Sequence, residues 1–108
     1  MVLFDPGRVL PQLVEGRARY DQEIVDFLRK KGFTCFDMNV VHAEDFKRFR
    51  LTYEQYRRCY FIGHYNPSGN HFFAFALKDT LVNWLDPKPI TYLAGDDNMI
   101  RFKDYLPE

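Results

Sequence analysis

Among the side chains able to move a proton, His64 holds the position best suited to catalysis. It lies in the run Phe61-Ile62-Gly63-His64-Tyr65-Asn66-Pro67-Ser68-Gly69-Asn70-His71, in a loop two residues ahead of a helix start. Asn66 reads as the N-cap, whose side-chain oxygen accepts a backbone N–H, and Pro67 as the first helical residue, where a missing N–H costs nothing. An imidazole titrating near neutrality takes a proton from a hydroxyl and returns it to a leaving group. In open α/β sheets such groups collect on loops beyond the carboxyl ends of strands, and the loop that carries His64 is read as lying beyond the end of a strand. The same position also suits a capping or surface histidine.

The other chemical candidates are weaker. Cys59 stands five residues before His64, but nothing nearby marks the depressed thiol pKa that a cysteine nucleophile needs. His42 with Glu44 and Asp45 matches no metal-ligand spacing, and residues 43–49 read as a solvated short helix. His71 falls in the first turns of a helix and reads as a packing or capping residue. Gly63 and Gly69 form no phosphate cradle, because no strand, glycine-rich loop and helix carrying Lys-Ser/Thr occurs in order. Phe72, Phe73, Phe75 and Trp84 have helical spacing and read as core rather than as a base-stacking platform. No metal and no cofactor are called for.

The elements that must position His64 follow from periodicity. Met1-Val2-Leu3-Phe4 is a short apolar run stopped by Asp5-Pro6-Gly7, the pattern of a buried parallel strand ending in a turn. Tyr20, Ile24, Phe27 and Leu28 recur at helical spacing and the helix ends at Gly32, with Arg29, Lys30 and Lys31 at its negative end. Val9, Leu10, Leu13 and Val14 extend that spacing backwards, but Gly16 interrupts it. This leaves either one long helix or a loop and a helix, firm from about residue 17. Residues 33–38 are rich in aromatic and β-branched side chains and read as a second strand, parallel to the first through a right-handed crossover. Two short helices are expected over 43–49 and 52 to about 59, the second opened by Thr52 and Gln55 at capping-box spacing. A long amphipathic helix runs from Pro67 towards Pro87 on Phe72, Phe73, Ala76, Leu77, Leu81, Trp84 and Leu85. Beyond it, residues 93–108 read as an irregular tail.

Composition narrows the partners. A chain of 108 residues makes one domain, and its 46% hydrophobic content gives it apolar surface to bury. Fifteen basic side chains balance fifteen acidic ones, so there is no electrostatic footprint for nucleic acid or an anionic membrane. Cys35 and Cys59 are too few for a disulfide framework and read as buried structural thiols. No apolar stretch near Met1 reaches the length of a signal peptide or membrane span, and nothing in the text names a compartment. The abrupt first strand is read either as a start inside a longer fold or as a native Met1.

The segment from His64 to Gly69, followed by an apolar helix, resembles the last conserved block of the SGNH, or GDSL-type, hydrolases. A looser resemblance covers residues 1 to about 92. It implies the carboxy-terminal part of a flavodoxin-like, three-layer α/β/α fold: a parallel β-α-β unit, short helices and the long helix. Family members are esterases, lipases, acyl hydrolases and carbohydrate deacetylases. The resemblance implies acyl-ester hydrolysis with His64 as the base that activates a serine, and with Asn66 and Gly69 shaping the turn into the helix.

Three departures qualify what this chain can do. The Gly-Asp-Ser block is absent, as are the blocks that supply the oxyanion-hole glycine and asparagine. Where the family carries an aspartate to orient the imidazole, this chain has Phe61. A dyad, another acid such as Asp37 or Asp86, or a degenerate site remains open. The letters of Ser68-Gly69-Asn70-His71 match the family name only by coincidence. The chain alone is therefore expected to be inactive and to need a partner, either the missing amino-terminal part of the domain or a second copy of itself. The alternative is a non-catalytic assembly module that pairs through sheet edges and apolar helix faces.

Overall fold

The computed structural model describes residues 1–85. Asp86 and the expected tail over 93–108 lie outside the described residues. The chain divides into a unit from Met1 to Ala76 and a second that begins at Leu77. The first holds all the elements discussed here except the last turns of the final helix.

The architecture is α/β. Strand β1 (Val2–Leu3) pairs in parallel with β2 (Phe36–Asp37), Val2 opposite Phe36 and Leu3 opposite Asp37. The ladder is extended by the Phe36 N–H, which donates to the Met1 carbonyl at 2.9 Å, and by the Met1 amino group, which donates to the Thr34 carbonyl at 2.9 Å. Both strands are shorter than the apolar runs suggested. Val2 is exposed, so β1 is not the buried strand expected. The second strand stops at Asp37 because that side chain turns to capping: its Oδ1 accepts the Asn39 N–H at 3.0 Å and opens the next helix.

Between the strands the chain forms two helices, α1 (Val9–Val14) and α2 (Gln22–Lys30). Gly16 separates them in a left-handed conformation, φ +69°, which glycine adopts without penalty. A firm helix from about residue 17 is therefore corrected to a start at Gln22. The intervening residues are held by side chains: Arg19 pairs with both Asp21 and Asp37, and Gln12 accepts the Tyr20 N–H. The guanidinium holds the Asp21 carboxyl below the usual carboxylate range, chiefly by hydrogen bonding.

Helix α3 runs Met38–Phe46, five residues earlier than the solvated helix expected at 43. It is core, not surface: Met38, Asn39, His42 and Ala43 are all buried. These residues fall at i, i+1, i+4 and i+5, one stripe of a helix. The stripe packs against α1, whose Val9 and Leu10 are fully buried, and against β1. With α1 in that layer, α2 contributes only Val25 to the core. Its expected apolar face is instead open, with Tyr20 50%, Ile24 60% and Phe27 55% exposed.

Helix α4 (Tyr53–Tyr60) opens with a reciprocal capping box. Thr52 Oγ1 accepts the Gln55 N–H at 3.2 Å while Gln55 Oε1 accepts the Thr52 N–H at 2.9 Å, so two amides at the helix end are satisfied. Helix α5 runs Pro67–Trp84. Its stripe is less covered than the pattern implied: Phe72, Phe73 and Trp84 are half-buried and Phe75 is 64% exposed. Among the described residues no helix is long and apolar enough to cross a membrane.

Candidate functional site

The loop that carries His64 is a small hairpin between α4 and α5. Helix α4 ends at Tyr60 and Phe61 follows it in extended conformation, making a single antiparallel bridge to Tyr65; the loop thus leaves a helix rather than a strand end. Two bonds close it, from the Ile62 N–H to the His64 carbonyl and from the Asn66 N–H to the Tyr60 carbonyl, each 2.8 Å. Gly63 takes φ +95° at the tip, where an L side chain would be strained.

The exit from the hairpin is anchored as firmly. Asn66 Oδ1 accepts the Gly69 N–H at 2.8 Å, and its Nδ2 donates to the Cys59 carbonyl at 3.0 Å. One side chain thus joins the end of α4 to the start of α5. Gly69 is buried, and a Cβ there would overlap the Tyr60 carbonyl and the Tyr65 ring. The close approach, rather than backbone conformation, requires glycine.

His64 itself is exposed, and its Nδ1 lies 2.7 Å from the backbone carbonyl of Tyr65. A carbonyl only accepts, so Nδ1 carries the proton and, in the neutral ring, Nε2 carries the lone pair. Nε2 has no hydrogen-bond partner among the described residues. The ring is therefore held by one nitrogen and open at the other, the arrangement a general base needs.

The other sequence-derived candidates fall elsewhere. Asp37 is committed to Arg19 and to Asn39, whose N–H and side-chain amide both donate to it at 3.0 Å; it makes no bond to His64. Asp86 lies outside the described residues. Phe61 stacks on Tyr65 with centroids 4.8 Å apart. No carboxylate bonds to His64 among the described residues. Ser68 is exposed on the first turn of α5 and has no hydrogen bond to His64. Cys59 is exposed rather than buried, and its thiol donates to the Gln55 carbonyl one helical turn back; Cys35 is half-buried and unpaired with it. His71 is exposed on the wall of an apolar groove of about 610 Å³ lined also by Tyr60, Pro67, Ser68, Phe72 and Phe75. Its expected packing or capping role is thus corrected. No cluster of three potential metal ligands occurs among the described residues.

The polar centre that sequence reasoning missed lies directly beneath the hairpin. His42 is fully buried, with Nδ1 2.9 Å from the Tyr56 hydroxyl and Nε2 2.6 Å from the Tyr65 hydroxyl. The Tyr56 hydroxyl also lies 2.9 Å from Asp45 Oδ2, which the Tyr60 hydroxyl approaches at 3.2 Å. Proton directions follow. The carboxylate only accepts, so Tyr56 and Tyr60 both donate to it. With its one proton spent, the Tyr56 oxygen accepts from His42 Nδ1–H, which leaves Nε2 of the neutral ring to accept from Tyr65. The Tyr56 hydroxyl also lies 3.3 Å from the His42 carbonyl, a longer contact that does not compete with the carboxylate. No buried side-chain nitrogen or oxygen lacks a partner among the described residues, as a low-dielectric interior demands.

Burial keeps the network neutral at its centre. It pushes the His42 imidazole down to about 4, only partly opposed by the nearby Asp45 charge. It pushes the Tyr60 phenol up to about 12, helped by Asp45, and raises Tyr56 and Tyr65 still further. Aromatic rings enclose His42: Phe72 at 4.8 Å and Phe4 at 5.6 Å between centroids. Tyr65, Phe4 and Phe61 stack on one another in a three-ring cluster, with centroids 4.8 to 6.0 Å apart. The available signal was Tyr56 and Tyr60 one turn apart on α4, with His42 and Asp45 one turn apart on α3.

Comparisons with protein-family models, curated proteins and solved structures find no significant match to this chain.

Proposed function

We propose that His64 is the general base of an SGNH-like serine ester hydrolase, and that this chain is the carboxy-terminal part of its flavodoxin-like domain. The observation that carries the reading is the setting of the His64 ring: Nδ1 tied to the Tyr65 carbonyl and Nε2 without a hydrogen bond among the described residues, on a hairpin braced by Asn66 and Gly69. The short parallel sheet is compatible with such a domain.

In the proposed chemistry His64 Nε2 takes the proton of a serine hydroxyl supplied by another segment, and the oxygen attacks the ester carbonyl carbon. The C–O bond to the alcohol breaks, and the alcohol leaves with the proton from Nε2. Water then repeats the sequence on the acyl-serine and regenerates both groups. The chain contributes neither nucleophile nor oxyanion donors, the groups worth most in such reactions.

The isolated chain is expected to hydrolyse short-chain aryl esters only at the rate of buffer. Joined to a segment carrying the Gly-Asp-Ser block, it is expected to be active, and His64→Ala is expected to lower kcat by roughly a thousandfold or more. Steady-state assays with an aryl acetate check this. Hydrolysis by the chain alone that disappears in Ser68→Ala would contradict it, as would an active assembly indifferent to His64→Ala.

The exposed Ile24 and Phe27 on α2, with Tyr20 just ahead of it, favour a second reading, a non-catalytic assembly module, because apolar side chains left open invite a partner. That reading expects a dimer or larger species by light scattering. A monomer throughout the micromolar range would count against it.

A further inference from the structure

We propose that Tyr65 is the positioning residue of His64, its backbone carbonyl doing for the imidazole what a carboxylate does in a triad. The inference rests on the reading of His64 as the base, but it concerns a property of the ring that exists without substrate.

Orienting an imidazole takes an acceptor at Nδ1 that does not move, because a mobile acceptor leaves both tautomers populated. Tyr65 meets that condition through three constraints. Its backbone is held in the bridge to Phe61, with the flanking bonds at Ile62 and Asn66. Its ring packs in a three-ring cluster, nearly parallel to Phe4 at 5.2 Å and to Phe61 at 4.8 Å. Its hydroxyl donates to Nε2 of buried His42, which is fixed in turn by Tyr56 and Asp45. Substituting Phe61 for an acid is coherent with this design, since the aromatic side chain secures the residue whose carbonyl replaces the carboxylate.

The buried relay thus ends on the surface. Its polarity, from Tyr65 through His42 and Tyr56 to Asp45, sets the Tyr65 ring, and the backbone of the same residue sets His64. A carbonyl dipole differs from a carboxylate in one respect: it selects the tautomer but gives the imidazolium only a partial charge to lean on.

The test is nitrogen-15 NMR of the whole chain with labelled histidine, at a pH where His64 is neutral. The two ring nitrogens report directly which one is protonated. In the unmodified protein Nδ1 is expected to be the protonated nitrogen of His64. Tyr65→Phe keeps the aromatic cluster and removes only the bond to His42. It is expected to lower the ratio of Nδ1–H to Nε2–H in His64 by about fivefold or more, on the scale of one hydrogen bond. His42→Gln retains an acceptor for the Tyr65 hydroxyl and is expected to keep the ratio within about twofold.

A purely structural role for Tyr65 would change stability and leave the tautomer alone. An Nε2–H tautomer in the unmodified protein overturns the proposal even if Tyr65→Phe fails to fold. So does an unchanged ratio in a folded Tyr65→Phe protein. Neither result depends on ester hydrolysis, so positioning by Tyr65 and the hydrolase reading fail separately.

Discussion

Acidification from pH 6.5 to about 4 is expected to remove up to about 3 kcal/mol of folding stability through His42 alone. Burial lowers the folded-state pKa of this imidazole from 6.5 to about 4. Between those values the unfolded chain therefore binds the proton that the folded chain refuses. Stability from this group is fully present above pH 6.5 and is lost as pH falls through the window to the folded value. The cause is desolvation: the charged ring would sit in a closed aromatic interior, and the nearby Asp45 charge only partly offsets that cost.

Urea denaturation at half-unit steps of pH measures the effect. His42→Gln keeps hydrogen-bonding capacity without a titrating group and is expected to flatten the curve across this window. Asp21, whose carboxyl is held low by Arg19, loses its contribution only as pH falls below its ordinary value of 3.8, so the two losses are ordered. A stability independent of pH from 6.5 to 4 would show that the buried ring accepts a proton without cost.

Gly69→Ala is expected to destabilise the fold by about 2–3 kcal/mol, against the direction that helix propensity predicts. In an open helix this change would gain up to about 1 kcal/mol, because alanine loses less backbone entropy. Here the new methyl meets the Tyr60 carbonyl and the Tyr65 ring. Neither is the far end of a flexible side chain: one is backbone, and the other belongs to a ring packed in a cluster with Phe4 and Phe61. Overlap must be relieved by moving α5 away from the hairpin, which strains the Asn66 bond to the Gly69 N–H. Ser68→Ala, one residue away and exposed, is the control and is expected to fall within about 0.5 kcal/mol of the parent. Thermal denaturation of the pair checks the prediction, and equal melting temperatures would refute the packing argument.

These two sites stand differently to the sequence. Position 69 belonged to a run that drew attention from the start, yet its glycine reads there only as part of a turn. The close approach that demands it comes from Tyr65 and from the end of α4. His42 beside Glu44 and Asp45 matches no metal-ligand spacing, and nothing local marks its role, because its partners Tyr56 and Tyr65 lie 14 and 23 residues away. A polar residue in a core is satisfied by whatever the fold brings to it, and hydrophobic periodicity carries no information about that.

Read alone, the sequence determined what depends on neighbours in the chain. Thr52 and Gln55 close a capping box, Asn66 and Pro67 start α5, and Gly16 breaks the first helical run. Each involves groups within a few residues of one another, so local stereochemistry suffices. Tertiary structure decided the rest: that Asp37 ends its strand to cap α3 and serve Arg19, that α1 rather than α2 covers the core stripe of α3, and that His64 leans on the carbonyl of Tyr65. Those outcomes are competitions for one layer of space or one lone pair between segments distant in the chain, and only the folded arrangement selects the winner.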